Sequence, residues 1–349
     1  MLRSSLAEPD LRSIADRPLP WEALAGKTVL VTGANGFLAA GAVDFLLWLN
    51  GNRNAAAPTR VVGLVRNRDR GQARFGAHAG RADLELLVQD VCDPLPEAVR
   101  PDFVLHAASQ ASPKYYGVDP VGTLSANTVG TYRLLEHARR SGTARFLYYS
   151  SAEVYGVPPD EAVKEDSYGR LDPMEVRSCY AESKRMGENM AVSWHRQYGL
   201  STVVVRPFHT YGPGMDLADG RVFADFVADV VAGRDIVLNS DGSAIRAFSF
   251  LSDTVAGVFA ALLRGADATA YNIGNDRAAI SVLGLAELLA SLYPERGIRV
   301  RRQAPAPDAS YLKSPVSAIR PDVSRLRALG WEPLVGLEEG FRKTIRSYE

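Results

Sequence analysis

The sequence predicts an α/β protein, with a doubly wound parallel sheet of the Rossmann type followed by a smaller mixed α/β lobe. Short β-branched, apolar runs alternate with segments of helical periodicity through residues 27–206, which is the pattern of parallel strands joined by crossover helices. The first run ends in a glycine-rich turn that opens a helix, the context of a dinucleotide-binding loop. Beyond residue 207 the elements become shorter and mixed, which indicates a second lobe.

Buried strands are expected in the first part at residues 27–32, 61–65, 84–88, 103–106, 146–149 and 201–205. Apolar periodicity predicts helices at 37–49, 131–140 and 175–198, with a weaker one at 70–78. The second part is expected to hold helices at 222–232, 254–264 and 282–292, strands at 236–238, 248–250, 271–273 and 298–300, and an irregular proline-rich stretch at 303–317.

We divide the chain into an N-terminal arm (1–26), a dinucleotide-binding domain that includes the helix at 175–198 (27–206), and a mainly substrate-binding lobe (207–349). The second lobe is expected to cover the carboxyl edge of the sheet. Ligands bind in that crevice in open α/β sheets.

The composition excludes several classes of partner. Lys plus Arg equals Asp plus Glu, at 40 each, so there is no electrostatic case for a nucleic acid or an anionic membrane. Cys92 and Cys179 lie far apart without the spacing of metal ligands, so we expect no disulfide, no metal site and a reducing cytoplasmic environment. No signal peptide is recognisable, and the apolar stretch at 37–49 is too short to span a bilayer.

The turn after the first strand reads Thr32-Gly33-Ala34-Asn35-Gly36-Phe37-Leu38-Ala39. Gly33 permits the tight turn, and Gly36 lets the backbone approach a pyrophosphate, which the N-terminus of the following helix attracts. Ala39 stands at the third position of the fingerprint, where only a small side chain is needed. The loop therefore predicts a dinucleotide cofactor.

The choice between NAD and NADP depends on the end of the second strand. That strand runs into Arg66-Asn67-Arg68, without the carboxylate that would bind the ribose 2′-hydroxyl of NAD. Arg66 and Arg68 could meet the 2′-phosphate of NADP, stack on adenine or lie in solvent. Asp90 and Val91, after the third strand, are placed to contact the adenine edge.

A second constellation points to chemistry at a carbon that bears a hydroxyl. Tyr180 and Lys184 stand four residues apart, so on a helix they share one face, about one turn apart. An ammonium beside a phenol favours the phenolate and is expected to lower the pKa of Tyr180, as a general base near neutral pH requires. Ser151 offers a hydroxyl to hold a substrate oxygen, and Glu153 offers a carboxylate for a second proton transfer.

These motifs stand in the order seen in the extended short-chain dehydrogenases/reductases, which the chain resembles over roughly residues 26–346. The matching segments are Thr32-Gly33-x-x-Gly36, Asp90-Val91, His106-Ala107-Ala108-Ser109, Asn127, Ser151, Tyr180-x-x-x-Lys184 and Arg206-Pro207. The resemblance implies a nucleotide-sugar substrate and a homodimer formed largely by a helical bundle that includes the Tyr-bearing helix. It also implies a cofactor regenerated in each cycle, which favours NAD without excluding NADP.

Within that family the chain is most similar to the UDP-glucuronate decarboxylases, in the segments 106–113, 126–131, 177–185, 219–222 and 242–253. The residues that sequence and resemblance together assign to the cofactor are Gly33, Asn35, Gly36, Phe37, Leu38, Arg66, Asp90, Val91, Ala107, Ala108, Ser109, Asn127, Ser150, Tyr180, Lys184 and Pro207. The residues assigned to the nucleotide sugar are Ser112, Tyr115, His209, Arg221 and Arg246.

Three consecutive residues bear on the reaction. Dehydratases of this family usually carry Asp-Glu after the catalytic Ser or Thr, and simple 4-epimerases usually lack the Glu. The pattern Ser151-Ala152-Glu153 resembles the decarboxylases, which implies transient oxidation at the sugar C4 and loss of CO₂ from a UDP-glucuronate-like substrate. Three alternatives stay open: a 4-epimerase, a 4,6-dehydratase acting on another nucleotide sugar, and a non-catalytic NAD(P)-binding sensor.

One position departs from the family pattern. Members commonly carry Asn two residues after Arg-Pro, where this chain has His209. Histidine can donate a hydrogen bond as Asn does, but it is larger and can become charged. The nucleotide base and the sugar therefore stay open.

Overall fold

A seven-stranded parallel sheet forms the centre of the molecule in the computed structural model, which describes residues 6–303 and 316–349. The strands of the described chain are β1 (Thr28–Thr32), β2 (Arg60–Val65), β3 (Leu84–Val88), β4 (Phe103–His106), β5 (Arg145–Tyr149), β6 (Ala162–Val163), β7 (Thr202–Pro207), β8 (His209–Tyr211), β9 (Ile236–Leu238), β10 (Ile245–Phe250), β11 (Thr269–Ile273), β12 (Ala279–Ser281), β13 (Val300–Arg302) and β14 (Ala318–Pro321). Its α-helices are α1 (Glu8–Ala15), α2 (Phe37–Asn52), α3 (Arg68–Phe75), α4 (Pro120–Ser141), α5 (Cys179–Tyr198), α6 (Val222–Val231), α7 (Leu251–Arg264), α8 (Val282–Ser291), α9 (Ser324–Arg327) and α10 (Leu337–Arg346).

The order of the strands in the central sheet is β11-β7-β5-β4-β1-β2-β3. Strand β1 lies between β2 and β4, so the chain winds outward from β1 in both directions. The point where the winding reverses opens a crevice at the carboxyl ends of these strands. The predicted fold class is therefore confirmed.

Helices cover both faces of this sheet. Helices α2, α7 and α1 pack together on one face, and α4 packs with α5 on the other. Because both faces are covered, the strands read as continuous apolar runs rather than alternating ones; Val29, Leu30 and Val31 of β1 are all fully buried. The long pair α4 and α5 brings Tyr180 and Lys184 to the carboxyl edge.

The C-terminal lobe has a sheet and a core of its own. Strands β12, β10, β14 and β6 lie side by side, β8 pairs with β10, and β9 pairs with β13. Helices α6, α8 and α10 pack around an aromatic core, in which the rings of Tyr211 and Phe341 stack with centroids 3.9 Å apart. The lobe thus holds β8 and α6 against the crevice.

Two of the described strands cross between the halves of the chain: β6 pairs with β14 in the second sheet, and β11 joins the first. Strand β11 corresponds to the predicted strand at 271–273 in the second lobe, but it pairs in parallel with β7 at the edge of the first sheet. Helix α7, from the same part of the chain, packs on β7. Hydrophobic periodicity identifies a strand without indicating which sheet it joins.

The N-terminal arm contains a helix, α1, and a 3₁₀ turn, Trp21–Leu24. Trp21 and Leu24 are buried against the body of the protein. The guanidinium of Arg17 pairs with the buried carboxylate of Asp253 at 2.8 Å. Asp253 also accepts hydrogen bonds from the backbone N–H groups of Leu334 and Val335, so the arm and the C-terminal segment meet at one carboxylate.

Most of the predicted irregular stretch at 303–317 lies outside the described residues. Among residues 6–303 and 316–349, no helix combines the length and the apolar character that crossing a membrane requires.

Candidate active site

A cleft of about 550 Å³ lies at the carboxyl ends of the central strands. The residues that line it come from the glycine loop, from the ends of β2, β3 and β4, and from the start of α4. They are Gly33, Asn35, Gly36, Leu64, Arg66, Asn67, Arg70, Gln89, Asp90, Val91, Cys92, Ala107, Ala108, Ser109, Gln110, Gly122, Ser125 and Ala126.

At its closest point to the end of β4, the glycine loop has no space for a side chain. Gly33 has φ +62°, and a Cβ there would lie 2.7 Å from the Cα of Ala108. Gly36 precedes the first turn of α2, which no side chain caps. Open N–H groups at a helix N-terminus attract a phosphate, so the loop fits a pyrophosphate.

Two buried polar atoms near the cleft have no hydrogen-bond partner among the described residues: Ser109 Oγ and Asn127 Oδ1. The other end of the Asn127 amide donates to Ser183 Oγ at 3.0 Å, which fixes its orientation. Buried polar atoms are normally paired. Unpaired atoms of this kind are what a bound polar ligand would satisfy, which supports the fit to a dinucleotide.

The strand ends beneath the cleft are joined by a buried polar chain. His106 lies between the hydroxyls of Thr32 and Thr131, at 2.8 and 2.9 Å, and Thr32 Oγ1 also accepts the N–H of Ala108 at 3.1 Å. Burial lowers the pKa of His106 to about 3, with a smaller effect from Lys184. A neutral imidazole therefore connects β1, β4 and α4 without adding charge.

The assigned cofactor residues fall into two groups. Those that line the cleft are Gly33, Asn35, Gly36, Arg66, Asp90, Val91, Ala107, Ala108 and Ser109. Phe37 and Leu38 instead pack against the core, and Ser150 donates its hydroxyl to Glu188 at 2.5 Å. Pro207 lies at the buried end of β7. Arg70 lines the cleft although sequence reasoning did not select it.

Tyr180 is buried at the start of α5, and its pKa differs from expectation. Burial raises the pKa of Tyr180 to about 12, although a hydrogen bond with Ser151 acts in the opposite direction. The expectation of a lowered pKa is wrong for the chain by itself, because the Lys184 ammonium does not reach the phenol. It donates instead to the backbone oxygen of Tyr149 at 2.6 Å. Burial also lowers the pKa of Lys184 to about 7, which the carboxylate of Glu188 opposes.

Glu188, one turn beyond Lys184, anchors the same helix. Its carboxylate accepts two hydrogen bonds from Arg206, at 2.8 and 2.7 Å, in addition to the one from Ser150. Lys184 and Glu188 thus attach α5 to two adjacent residues, Tyr149 at the end of β5 and Ser150 just after it. This attachment holds Tyr180 in position relative to Ser151.

A second tyrosine lies against the first. The rings of Tyr116 and Tyr180 stack with centroids 5.2 Å apart, and the hydroxyl of Tyr116 donates to the backbone oxygen of Ala111 at 3.0 Å. Sequence reasoning chose the neighbouring Tyr115, which is half-buried beside the Lys114 ammonium. The chain turns as a 3₁₀ helix at this point, so adjacent residues face different directions and only the structure distinguishes them.

Glu153 lies close enough to Tyr180 for its charge to raise the phenol's pKa. Its carboxylate pairs with the guanidinium of Arg177 at 3.3 Å. Arg177, just before α5, was part of the family match but was given no role from sequence. Ala152, between Ser151 and Glu153, is half-buried and carries no proton donor.

The proposed sugar residues come from three segments. Ser112 donates its hydroxyl to the backbone oxygen of Asp219, and Arg221 pairs with the Asp219 carboxylate. Arg246 donates to the backbone oxygens of Ile245 and Val316, both at 2.8 Å. Ser112 and Arg221 are therefore tied together through one loop residue.

His209 lies between the rings of Phe223 and Phe248. Its Nδ1 is buried without a hydrogen-bond partner among the described residues. Burial, with smaller effects from the charges of Arg246 and Arg221, lowers its pKa to about 3. The ring is thus neutral near pH 7, and one nitrogen is left to bind a ligand.

Three comparisons with known proteins place this geometry in context. Residues 29–274 match the family described as the NAD dependent epimerase/dehydratase family. The chain is 35% identical over 316 residues to UDP-glucuronic acid decarboxylase 3 of Arabidopsis thaliana, covering 90% of this chain and 86% of that one. It is 35% identical over 324 residues to UDP-glucuronic acid decarboxylase 1 of Danio rerio, covering 92% and 72%. A solved structure of the dTDP-glucose 4,6-dehydratase DesIV from Streptomyces venezuelae, with NAD bound, superimposes with a TM-score of 0.76 at 25% identity, covering 92% and 96%.

Proposed function

Because the chain belongs to the NAD-dependent epimerase/dehydratase family, we propose that it decarboxylates a nucleotide-linked uronic acid of the UDP-glucuronate type. The sugar is oxidised at C4, loses CO₂ and is reduced again at C4. Relatives covering most of the chain carry the name UDP-glucuronic acid decarboxylase, which supports this reaction over others of the family.

The observation that carries the proposal is the set of groups beside Tyr180. Ser151 contributes a hydroxyl, Ala152 contributes no acid, and Glu153 contributes a carboxylate held by Arg177 at 3.3 Å. Elimination of water from the sugar needs a proton donor for the leaving hydroxyl, and Ala152 cannot be one. Loss of CO₂ needs no such donor, because the electrons of the C5–C6 bond stay in the sugar when CO₂ leaves.

Tyr180 and Ser151 are assigned to the C4 hydroxyl. Ser151 holds its oxygen, and Tyr180 as phenolate takes its proton. NAD, held by the glycine loop and the strand ends that line the cleft, would supply the hydride acceptor and donor for C4. Lys184, whose pKa burial lowers to about 7, ties α5 to the end of β5 through the backbone oxygen of Tyr149 and so positions Tyr180.

The 4-keto sugar is a β-keto acid with respect to the carboxylate at C6. The C5–C6 bond breaks, CO₂ leaves, and the electron pair moves through C4–C5 onto the C4 oxygen. Tyr180, now protonated, and Ser151 donate hydrogen bonds to this enolate oxygen, which is the place where charge develops. Glu153 is assigned to bring a proton to C5, and Arg177 to orient Glu153.

Product analysis tests the reaction. Purified protein is incubated with UDP-glucuronate and a panel of other sugar nucleotides, and the products are identified by mass. Loss of one CO₂ is expected. Loss of one water would identify a dehydratase, and an isomer of unchanged mass would identify a 4-epimerase. If UDP-glucuronate stays intact while another sugar nucleotide reacts, the proposed substrate is wrong.

We also propose a homodimer formed through the outer faces of α4 and α5. Apolar side chains are exposed along both helices, namely Val121, Leu124, Val129, Tyr132, Met186 and Val192. On α4 they stand three, five and three residues apart, which keeps the four side chains on one side of the helix. Large exposed apolar patches are typical of interaction sites, and a second copy of the chain offers the same stripe.

Light scattering after gel filtration tests the dimer. The wild-type chain should have the mass of two copies, and Val129→Glu combined with Met186→Glu should give the mass of one. Val237→Glu, which charges an exposed position on β9, is the matched control and should stay dimeric. A monomeric wild-type chain would exclude this proposal.

A cytoplasmic location is proposed on chemical grounds. Cys92 and Cys179 are both unpaired, and burial raises the pKa of each thiol. Free thiols of this kind are usual in a reducing compartment.

A further inference from the structure

The end of the cofactor cleft that lies beyond β2 has an unusual charge for a site that binds NAD. In such folds the second strand commonly ends in a carboxylate that hydrogen-bonds the adenosine ribose hydroxyls. Here Val65 ends β2 and Arg66 follows it. The first carboxylate after the strand is Asp69, which is exposed in the first turn of α3 and does not line the cleft.

Two arginines line the cleft at this end, Arg66 and Arg70. Both are exposed, and within residues 6–303 and 316–349 neither guanidinium forms an ion pair or donates a hydrogen bond. The turn between them is fixed, because the side chain of Asn67 accepts the backbone N–H of Arg70 at 2.9 Å. Two unpaired guanidinium groups are thus held on either side of one capped turn.

The acidic groups nearby are already engaged. Asp90 accepts the backbone N–H of Cys92 at 2.9 Å. Asp119 accepts hydrogen bonds from Gln110 at 2.8 Å and from the N–H of Gly122 at 3.0 Å. Hydrogen bonds lower the pKa of Asp119, and Arg66 contributes a smaller effect of the same sign, which places Arg66 toward the mouth of the cleft near α4.

We propose that Arg66 and Arg70 form a site for the 2′-phosphate of the adenosine ribose, so that the chain binds NADP as well as NAD. A phosphate monoester offers three acceptor oxygens and close to two negative charges. Planar guanidinium groups bind such oxygens in pairs with charge-assisted hydrogen bonds. The 2′-hydroxyl of NAD meets no carboxylate here, so the cleft gives NAD no compensating advantage.

Calorimetric titration of the full-length protein, freed of bound nucleotide, tests this site without any sugar substrate. NADP⁺ should bind at least as tightly as NAD⁺, and adenosine 2′,5′-bisphosphate should bind more tightly than 5′-AMP. Arg66→Gln and Arg70→Gln should each weaken NADP⁺ binding by about tenfold or more, because each removes hydrogen bonds to a charged group. Neither should change NAD⁺ binding by more than about twofold.

Arg68→Gln is the matched control, because Arg68 belongs to the same turn but does not line the cleft. It should leave both affinities unchanged. The site is excluded if NADP⁺ binds more weakly than NAD⁺, or if Arg66→Gln and Arg70→Gln weaken both nucleotides alike. It is also excluded if Arg68→Gln has the same effect as the other two. None of these outcomes depends on which sugar reaction the protein catalyses, so a failed decarboxylase assay leaves the result intact.

Discussion

The cofactor cleft and the region around Tyr180, called below the cofactor end and the sugar end of the active site, are built from different kinds of contact. At the cofactor end, backbone and small side chains come from the ends of neighbouring strands, as where Gly33 lies against Ala108. At the sugar end, long side chains come from segments far apart in sequence and hold one another by charge, as Glu153 and Arg177 do at 3.3 Å. Cofactor binding should therefore be sensitive to atoms added at the cofactor end. Catalysis should be sensitive to the loss of either member of an ion pair at the sugar end.

The largest effect is expected from Tyr180→Phe, which removes one hydroxyl at the sugar end. The turnover number should fall by roughly a thousandfold, because a general acid–base group contributes about that much. The affinity for NAD should change little, because Tyr180, although assigned to the cofactor from sequence, is not among the residues that line the cofactor cleft. Steady-state kinetics and calorimetry measure the two quantities.

Tyr168→Phe is the control for this variant, because Tyr168 is 84% exposed and lies away from the cleft. A Tyr180→Phe protein with full turnover would remove Tyr180 from the mechanism. A parallel loss of NAD affinity would show that the two ends are not separate.

The next largest effect is expected from Gly33→Ala, which adds one carbon at the cofactor end. The new Cβ would lie 2.7 Å from the Cα of Ala108, in a left-handed backbone conformation. Strain of about 1–3 kcal/mol should weaken NAD binding by roughly tenfold to a hundredfold, as measured by calorimetry. Gly51→Ala, with nothing within 4 Å of the added carbon, should bind NAD normally. If Gly33→Ala and Gly51→Ala bind NAD equally well, the close contact between the glycine loop and Ala108 does not affect cofactor binding.

A smaller effect is expected from Arg177→Gln, which leaves Glu153 without its ion pair. The turnover number should fall by about tenfold, because a misplaced acid–base group loses part of its contribution. The free energy of unfolding should change by less than about 1 kcal/mol, since the pair is partly exposed. Steady-state kinetics gives the turnover number, and urea denaturation of the same preparation gives the free energy of unfolding. Arg139→Gln breaks the exposed pair with Glu136 and should leave turnover unchanged; a similar loss there would make the Arg177 effect nonspecific.

The last prediction concerns the pH dependence of stability, and neither turnover nor binding enters it. Because burial lowers the pKa of Lys184 to about 7, the folded chain binds fewer protons than the unfolded chain between about pH 7 and about pH 10. The contribution of Lys184 to the free energy of unfolding therefore increases as the pH rises through that window. Lys184→Met removes the effect, so its stability relative to wild type should fall with rising pH, by up to about 1.4 kcal/mol per unit.

Urea denaturation at several pH values, without bound nucleotide, measures this trend. Lys164 is exposed, so the free energy of unfolding of Lys164→Met should differ from that of wild type by the same amount at every pH. A constant difference for Lys184→Met as well would mean that Lys184 stays charged throughout.

The same contrast explains what could be predicted from sequence. The glycine spacing and the alternation of strands with helices are local patterns, and they led to the correct fold class and to the glycine loop. The pKa of Tyr180 was not predictable, because it depends on how completely α5 buries the phenol and on where the Lys184 ammonium points. Arg70 was missed because its place in the cleft depends on the turn that Asn67 caps.

Strand β11 has a consequence for how the chain is made. Residues 269–273 complete the first sheet by pairing with β7, although they leave the ribosome long after β7 does. Until then β7 is an edge with open backbone groups, and such edges invite pairing with other chains. A fragment that stops near residue 206 would keep that edge exposed permanently. The cofactor-binding half should therefore aggregate when expressed alone, and the two lobes are better studied as one piece.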